Sequence, residues 1–194
     1  GAAFDAAWDK ASNAVQQTQD EVLTYGGALI DAVYFSCSGG STEDAAAVWG
    51  TDVPYLQSVE SPGEEIAPRF SSQEIFAPAE FSEILRAENP DVHLTGSPET
   101  WVGETAYTEG GSVETCVIGD IAFSGTKLRQ LFGLNSARFT LMLKDGQFVF
   151  DVQGFGHRVG MSQYGANAMA KEGYSCEEIL EHYFTGAQVV QWAG

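Results

Sequence analysis

The apolar positions of the first stretch recur at helical spacing: Phe4, Ala7, Trp8, Ala11 and Val15 predict an amphipathic helix over 5–19. Two apolar runs, 21–25 and 28–35, then flank Gly26-Gly27, the pattern of a β-hairpin. The second run opens into Ser36-Cys-Ser-Gly-Gly-Ser-Thr42, which suits only a loop. From 61 to about 125 the pattern loosens, with Pro62, Pro68, Pro78, Pro90 and Pro98 set among dense acids. A short helix is predicted over 78–87 with proline at its start, and strand-like runs lie at Tyr107 and 113–118. Regular patterning returns after Gly125. It predicts a helix over 126–132 closed by Gly133, and a hairpin of 139–143 with 147–152 around Asp145-Gly146. A helix over 162–171 follows, ending near Gly173. Ser175 and Glu178 form a capping box for a last helix reaching Phe184, and a final strand is expected over 189–192. Helices and strands mix without a βαβ rhythm, so the predicted class is α+β, a mixed sheet and hairpins with several short helices. The core domain is expected from 1–60 and 124–194, with 61–123 as an insertion or second lobe.

The 194 residues suit one domain carrying such an insertion. Nine basic against 27 acidic residues give a net charge of −18. That excludes a nucleic-acid role, which needs a basic surface, and disfavours docking on anionic lipid. The basic residues are unevenly spread. Lys127, Arg129, Arg138, Lys144 and Arg158 fall in a stretch where Asp145 and Asp151 are the only acids between 123 and 170. Such an island either attracts an anionic group or is a solvated face where charges cluster by chance. Cys37, Cys116 and Cys176 form no C-x-x-C pair, and His93, His157 and His182 have no ligand spacing relative to them, so no metal is expected from these residues. No apolar run is long enough to span a membrane. No leader is visible, and because the residues from Gly1 to Lys10 already read as folded protein, the expectation is that a leader or anchor has been removed.

Three stretches carry chemistry. In Tyr34-Phe-Ser-Cys-Ser-Gly-Gly-Ser-Thr-Glu43, the pair Gly39-Gly40 lets backbone amides approach a ligand, ringed by the hydroxyls of Ser36, Ser38, Ser41 and Thr42. Such donors suit a sugar's hydroxyls, and they equally suit a tight strand-to-loop turn. In Val48-Trp-Gly-Thr-Asp-Val-Pro-Tyr-Leu56, Trp49 and Tyr55 offer flat faces either to a sugar ring or to the core. In Gly154-Phe-Gly-His157-Arg158-Val-Gly-Met-Ser162-Gln163-Tyr164, glycines bracket a histidine that can relay protons or bond a sugar oxygen. The histidine-bearing turn and the glycine pair are expected to face one sugar-sized trench.

Together these stretches resemble the stage II sporulation protein D (SpoIID) family. The serine-rich turn with Gly-Gly and Thr-Glu lies at Ser36 to Glu43, Trp-Gly and Pro-Tyr-Leu at Trp49-Gly50 and Pro54-Tyr-Leu56, and the signature Gly-His-x-Val-Gly-Met-Ser-Gln-x-Gly-Ala at Gly156 to Ala166. Ala168-Met-Ala170 and Ile179-Leu-Glu-His-Tyr183 match the segments that follow. The resemblance implies a peptidoglycan lytic transglycosylase that cuts between N-acetylmuramic acid and N-acetylglucosamine on glycan strands already stripped of stem peptides. It implies action in sporulation engulfment or wall remodelling, an extracytoplasmic place in the cell envelope with an anchor upstream, and an N-acetylmuramoyl-L-alanine amidase as partner. Stripped strands expose lactyl carboxylates, which the basic island would suit.

Two departures stand out. The family's catalytic glutamate sits in a helix reading like Glu-Ala-Leu-Lys-Ala-Gln-Ala, and no such segment is present. The resemblance therefore places the catalytic acid upstream of Gly1, and the expectation is a fragment holding the glycan groove without the acid. Zinc ligands known in some relatives fall in the same missing part, so no cofactor is expected here. Arg158 stands where many members have glycine. The expected substrate-binding set is Tyr34, Ser36, Ser38, Gly39, Gly40, Thr42, Tyr55, Arg158, Ser162, Gln163 and Tyr164, with His157 and Glu43 as supporting candidates for catalysis. The alternatives are a non-catalytic glycan-binding or scaffold module that works with an amidase, and a Cys37 nucleophile with His157 as its base.

Overall fold

The computed structural model describes residues 1–192. In chain order its elements are α1 (Ala2–Gln17), β1 (Glu21–Tyr25), β2 (Ala28–Leu29), β3 (Tyr34–Phe35), α2 (Ala45–Trp49), β4 (Ser71–Phe76), α3 (Pro78–Glu88), β5 (Val102–Tyr107), β6 (Val113–Ile118), β7 (Ile121–Ser124), α4 (Gly125–Phe132), β8 (Phe139–Lys144), β9 (Gln147–Gln153), β10 (Met161–Ser162), α5 (Gln163–Lys171), α6 (Cys176–Tyr183) and β11 (Gln188–Gln191). The strands form small separate sheets, β11-β1-β2, β10-β3, β4-β9-β8 and β5-β6-β7. The class is α+β.

Local signals explain most of the boundaries. Gly133 closes α4 in the left-handed region, at φ 64°. Asp145 and Gly146 both take positive φ in the β8–β9 turn, as a two-residue hairpin loop demands. The Ser175–Glu178 capping box starts α6. The strand expected over 28–35 divides, because its second half finds another partner. Val22–Thr24 pair with Val190–Gln188 of β11, while Tyr34 and Phe35 run parallel to Met161 and Ser162.

Two apolar cores result. One gathers Ala45, Leu56, Val159, Met169, Ile179, Tyr183, Phe184 and Ala187 from the two ends of the chain. The other is aromatic, with Phe81, Phe132, Phe139, Phe148 and Phe150 packed beside Leu85, Ile118 and Leu128. Phe81 and Phe148 stack with ring centroids 3.9 Å apart. Aromatic pairs contribute about 0.5–1.5 kcal/mol each beyond their buried area. This second core unites 76–123 with 124–152, so the cores do not divide at residue 124. The reason is pairing: β9 takes β4 on one edge, Ser71↔Gln153 through Phe76↔Phe148, and β8 on the other. Helix α1 stands apart, with Phe4, Trp8 and Val15 all exposed. Among the described residues no helix is long and apolar enough to cross a membrane.

Candidate functional site

The chemistry-bearing stretches do meet. Beyond the parallel β3–β10 pair, Cys37 and Phe155 exchange backbone hydrogen bonds, and the Glu43 amide donates to the Arg158 carbonyl at 2.7 Å. The Tyr164 amide donates to Ser36 O at 3.1 Å, tying the start of α5 to the serine-rich loop.

The glycine pair is already filled from within. The amides of Ser38, Gly39 and Gly40 donate to Glu64 Oε2 at 3.0, 2.9 and 3.1 Å, and Ser38 Oγ donates to the same oxygen at 2.6 Å. Ser61 Oγ donates to Glu64 Oε1 at 2.9 Å, and Ser162 Oγ donates to the same oxygen. Consecutive amides of this kind form an anion-binding nest, and here the anion is the chain's own carboxylate. Ser61 also bonds the Tyr183 hydroxyl at 2.6 Å, whose pKa burial pushes up to about 12. Gly165 passes so close to Ser61 Oγ and Tyr183 OH that a side-chain carbon there would collide with both. Ser38 and Ser162 are fully buried, and Gly39 is buried with them. These residues therefore do not line a sugar-facing trench, and this expectation is corrected. Donors that can hold a ligand can equally hold an internal carboxylate, and the sequence around Gly39 does not distinguish the two.

Glu43 and Arg158 form a second buried knot. Arg158 Nη1 lies 3.2 Å from Glu43 Oε1, with both side chains 1% exposed. Arg158 also donates to Ser38 O and, through Nη2, to Ser41 O and Gly110 O, each at 2.7 Å, and to Ser112 Oγ. Burial lowers its pKa to about 10, against the opposing pull of Glu43. Glu43 Oε1 additionally accepts from Thr108 Oγ1 at 2.7 Å and the Ser112 amide at 2.9 Å. The knot thus ties the serine-rich loop of one core to the 108–112 turn of the other. Gly110 permits the approach, since a side chain there would strike Thr42 O and Glu43. Arg158 has φ 68°, in the region that favours glycine. Its bonds hold it there. Neither Glu43 nor Arg158 is placed to touch a substrate. Thr42 is buried too, its hydroxyl bonded to the Val59 amide.

What reaches the surface is aromatic. Tyr34 is 60% exposed and Trp49 46% exposed, and the Trp49 ring lies 5.5 Å from that of half-buried His157. Phe35 meets the same imidazole edge-on at 5.6 Å. His157 Nδ1 accepts from the Val159 amide at 3.2 Å, which leaves the proton on Nε2 to be donated to Tyr34 O at 3.1 Å. Both nitrogens are spent on backbone, so the imidazole is a fixed wall of the site and has no lone pair for proton relay. Burial lowers its pKa, opposed by the Tyr34 carbonyl and assisted by the Arg129 charge. The unfolded chain, with the ordinary value near 6.5, then takes up the proton first. The stability that neutral His157 confers is full above that value and is lost as pH falls through the lowered folded one. Between pH 7.5 and 5, the melting temperature of the wild-type chain is expected to fall further than that of His157→Asn. Parallel melting curves would disprove this.

The remaining candidates scatter. Gly40 and Gln163 are exposed, Ser36 and Tyr164 half-buried. Tyr55 belongs to the first core, packed on Tyr25 at 5.7 Å with its hydroxyl accepting from the Asp31 amide. Gly1, the residue before which the resemblance places the catalytic acid, is exposed and has no part in the site. It caps α1, its carbonyl accepting from the Phe4 and Asp5 amides at 2.8 and 3.1 Å. Cys37 is fully buried, its thiol donates to Arg69 O at 3.7 Å, and burial and the Glu64 charge push its pKa up. That is the reverse of what a nucleophile needs. Among the described residues no group of three or more His, Cys, Asp or Glu is placed to hold a metal ion. The basic island is dispersed: Lys127 pairs with Glu88 at 2.6 Å, Arg138 bonds Gln153 and Ser41, Arg158 is buried, and Arg129 faces a cleft. Sequence reasoning missed Glu64, Ser61, Thr108 and Ser112, which carry no local signal. Tyr183 sat inside a quoted family segment without a role.

Fold and site together define an α+β protein with two cores joined by buried polar ties, presenting an aromatic face at Tyr34, Trp49 and His157. No family model matches the chain. It is 40% identical to stage II sporulation protein D of Bacillus subtilis (strain 168) over 190 residues, covering 97% of this chain and 53% of that protein. It is 41% identical to stage II sporulation protein D of Bacillus amyloliquefaciens over 181 residues, covering 93% of this chain and 51% of the relative. The amidase enhancer of Bacillus subtilis (strain 168) is 27% identical over 95% of this chain and 33% of its own length. Over nearly its whole length this chain is similar to stage II sporulation protein D of two Bacillus species. It spans about half the length of those curated relatives.

Proposed function

We propose that this chain is the glycan-holding part of a peptidoglycan lytic transglycosylase of the cell envelope, acting on strands stripped of stem peptides during sporulation or wall remodelling. The observation that carries the reading is the exposed pair Tyr34 and Trp49 beside a histidine locked by two backbone bonds. Flat rings with polar edges are what a pyranose ring stacks on. A transglycosylase also needs a carboxylic acid to protonate the glycosidic oxygen and then help deprotonate the attacking 6-hydroxyl. Among the described residues that line the small pocket at His157, Glu43 is the carboxylate, and its pair with Arg158 buries it. We assign the protonating acid to the part of the relatives that this chain does not span. A second reading, a non-catalytic glycan-binding module working with an amidase, rests on the relative named amidase enhancer.

Trp49→Ala is expected to reduce retention on amidase-stripped glycan strands about tenfold, one step of ~1.4 kcal/mol. Its melting temperature should stay near wild type, because the ring is about half exposed and belongs to neither apolar core. Unchanged retention with a folded variant would remove the glycan reading.

A further inference from the structure

Of the five clustered basic residues, Arg129 alone combines half burial with an unspent fork. Its Nε donates to Leu134 O at 3.3 Å, and its two terminal nitrogens meet no acceptor among the described residues. No carboxylate among those residues lies within 4 Å of it, whereas Lys127 and Arg158 each have one. Partial burial strips water from the cation and lowers its pKa. A half-buried guanidinium whose terminal N–H groups have no protein acceptor is set to receive the oxygens of a ligand.

Its location gives that capacity a direction. Thr126 and Arg129 line a cleft of about 450 Å³ with Gln130, Gly133 and Leu134. The same two residues line the small adjoining pocket in which His157 and Gly156 face them from the other core. The His157 ring feels the Arg129 charge. Arg129 thus stands across the junction of the two cores from the wall that touches Trp49. A guanidinium presents parallel N–H groups matched to the two oxygens of a carboxylate.

We propose that Arg129 is the receptor for a carboxylate carried on a sugar ring, and that it makes the aromatic face selective for acidic over neutral glycans. This rests on the glycan reading above. The lactyl ether acid of muramic acid and the carboxyl of a uronic acid share the required chemistry. Muramic acid offers its carboxylate only when no stem peptide is amide-linked to it, so Arg129 would read the peptide-free state directly.

The test measures affinity of the whole 194-residue chain, by calorimetry, for four tetrasaccharides. These are an alternating N-acetylglucosamine–N-acetylmuramic acid oligomer with free lactyl carboxylates, the same oligomer with those carboxylates amidated, chitotetraose, and a uronate-containing oligomer. Wild type is expected to prefer the free-carboxylate muramyl oligomer about tenfold over its amidated form and over chitotetraose. Arg129→Gln is expected to bring both ratios close to one, and Arg129→Lys to keep part of the preference. A uronate oligomer bound as tightly as the muramyl one, with the same loss in Arg129→Gln, supports a general ring-carboxylate receptor. Weak uronate binding supports the lactyl acid as the source. If wild type binds all four equally, the glycan reading stands and this proposal falls. A preference that survives in folded Arg129→Gln also overturns it. If none of the four binds, both fall together.

Discussion

Replacing Arg158 by alanine is expected to destabilise the fold by about 3–5 kcal/mol, the usual cost of stripping one partner from a buried ion pair. For a chain of this size that lowers the melting temperature by roughly 6–20 °C. The loss has two parts. Glu43 is left as a buried charge without its cation, and the carbonyls of Ser38, Ser41 and Gly110 each lose an Arg158 donor. Two companions separate these parts. Arg158→Ala with Glu43→Ala should cost less than the sum of the single changes, because the stranded charge is gone. Arg158→Gly should be about 1 kcal/mol less harmful than Arg158→Ala, because glycine adopts φ 68° without strain. A melting curve of Arg158→Ala within a degree or two of wild type would show that the tie between the cores is unimportant.

Glu64→Ala is expected to be as damaging, at about 3–5 kcal/mol. The acid removed is 1% exposed, and it collects three backbone amides and three serine hydroxyls. Without it the Ser38 and Gly39 amides have no internal acceptor, the Gly40 amide keeps only Ser38 Oγ, and each buried donor left unmet costs about 1–3 kcal/mol. Glu64→Gln keeps one carbonyl oxygen for the amides and is expected to lose about 1–2 kcal/mol. The informative readouts are the denaturation midpoint and hydrogen exchange at the Gly39 and Gly40 amides. Fast exchange there in the variant alone is the expected result. Protection equal to wild type would mean that the loop holds its shape without the carboxylate.

The contrast between local and distant signals explains what the sequence disclosed. Gly133, Asp145-Gly146 and the Ser175–Glu178 box act within a few residues, and each marks its helix end, turn or helix start correctly. The class followed from counting such segments. By contrast, α2 is one turn long and β3 only two residues, too short to leave a period. The pairing of β3 with β10 spans more than 120 residues and depends on which edge is open after folding. The same division holds for the site. The flat ring of Trp49 and the glycine-framed His157 are conspicuous in the sequence and meet at 5.5 Å, whereas Tyr55, the other flat ring singled out, packs against the first core. The nest was misread because Ser38-Gly39-Gly40 advertises donors without naming their acceptor, and Glu64 lies 24–26 residues away in a proline-rich stretch. Arg158 looked like surface charge because nothing in its neighbourhood reveals that Gly110 leaves room for Glu43 behind it.

The double anchoring of the His157 ring carries one consequence for recognition. With Nδ1 and Nε2 both held by backbone and with Phe35 and Trp49 against the ring, that side chain has no rotamers left to surrender when a partner arrives. Freezing a mobile side chain at an interface costs about 0.5–1.5 kcal/mol. Here the cost has been met during folding. Preorganised in this way, the surface leaves the entropic toll of association to fall mainly on the incoming molecule, so a stiff, extended chain should be favoured over a supple one of identical chemistry.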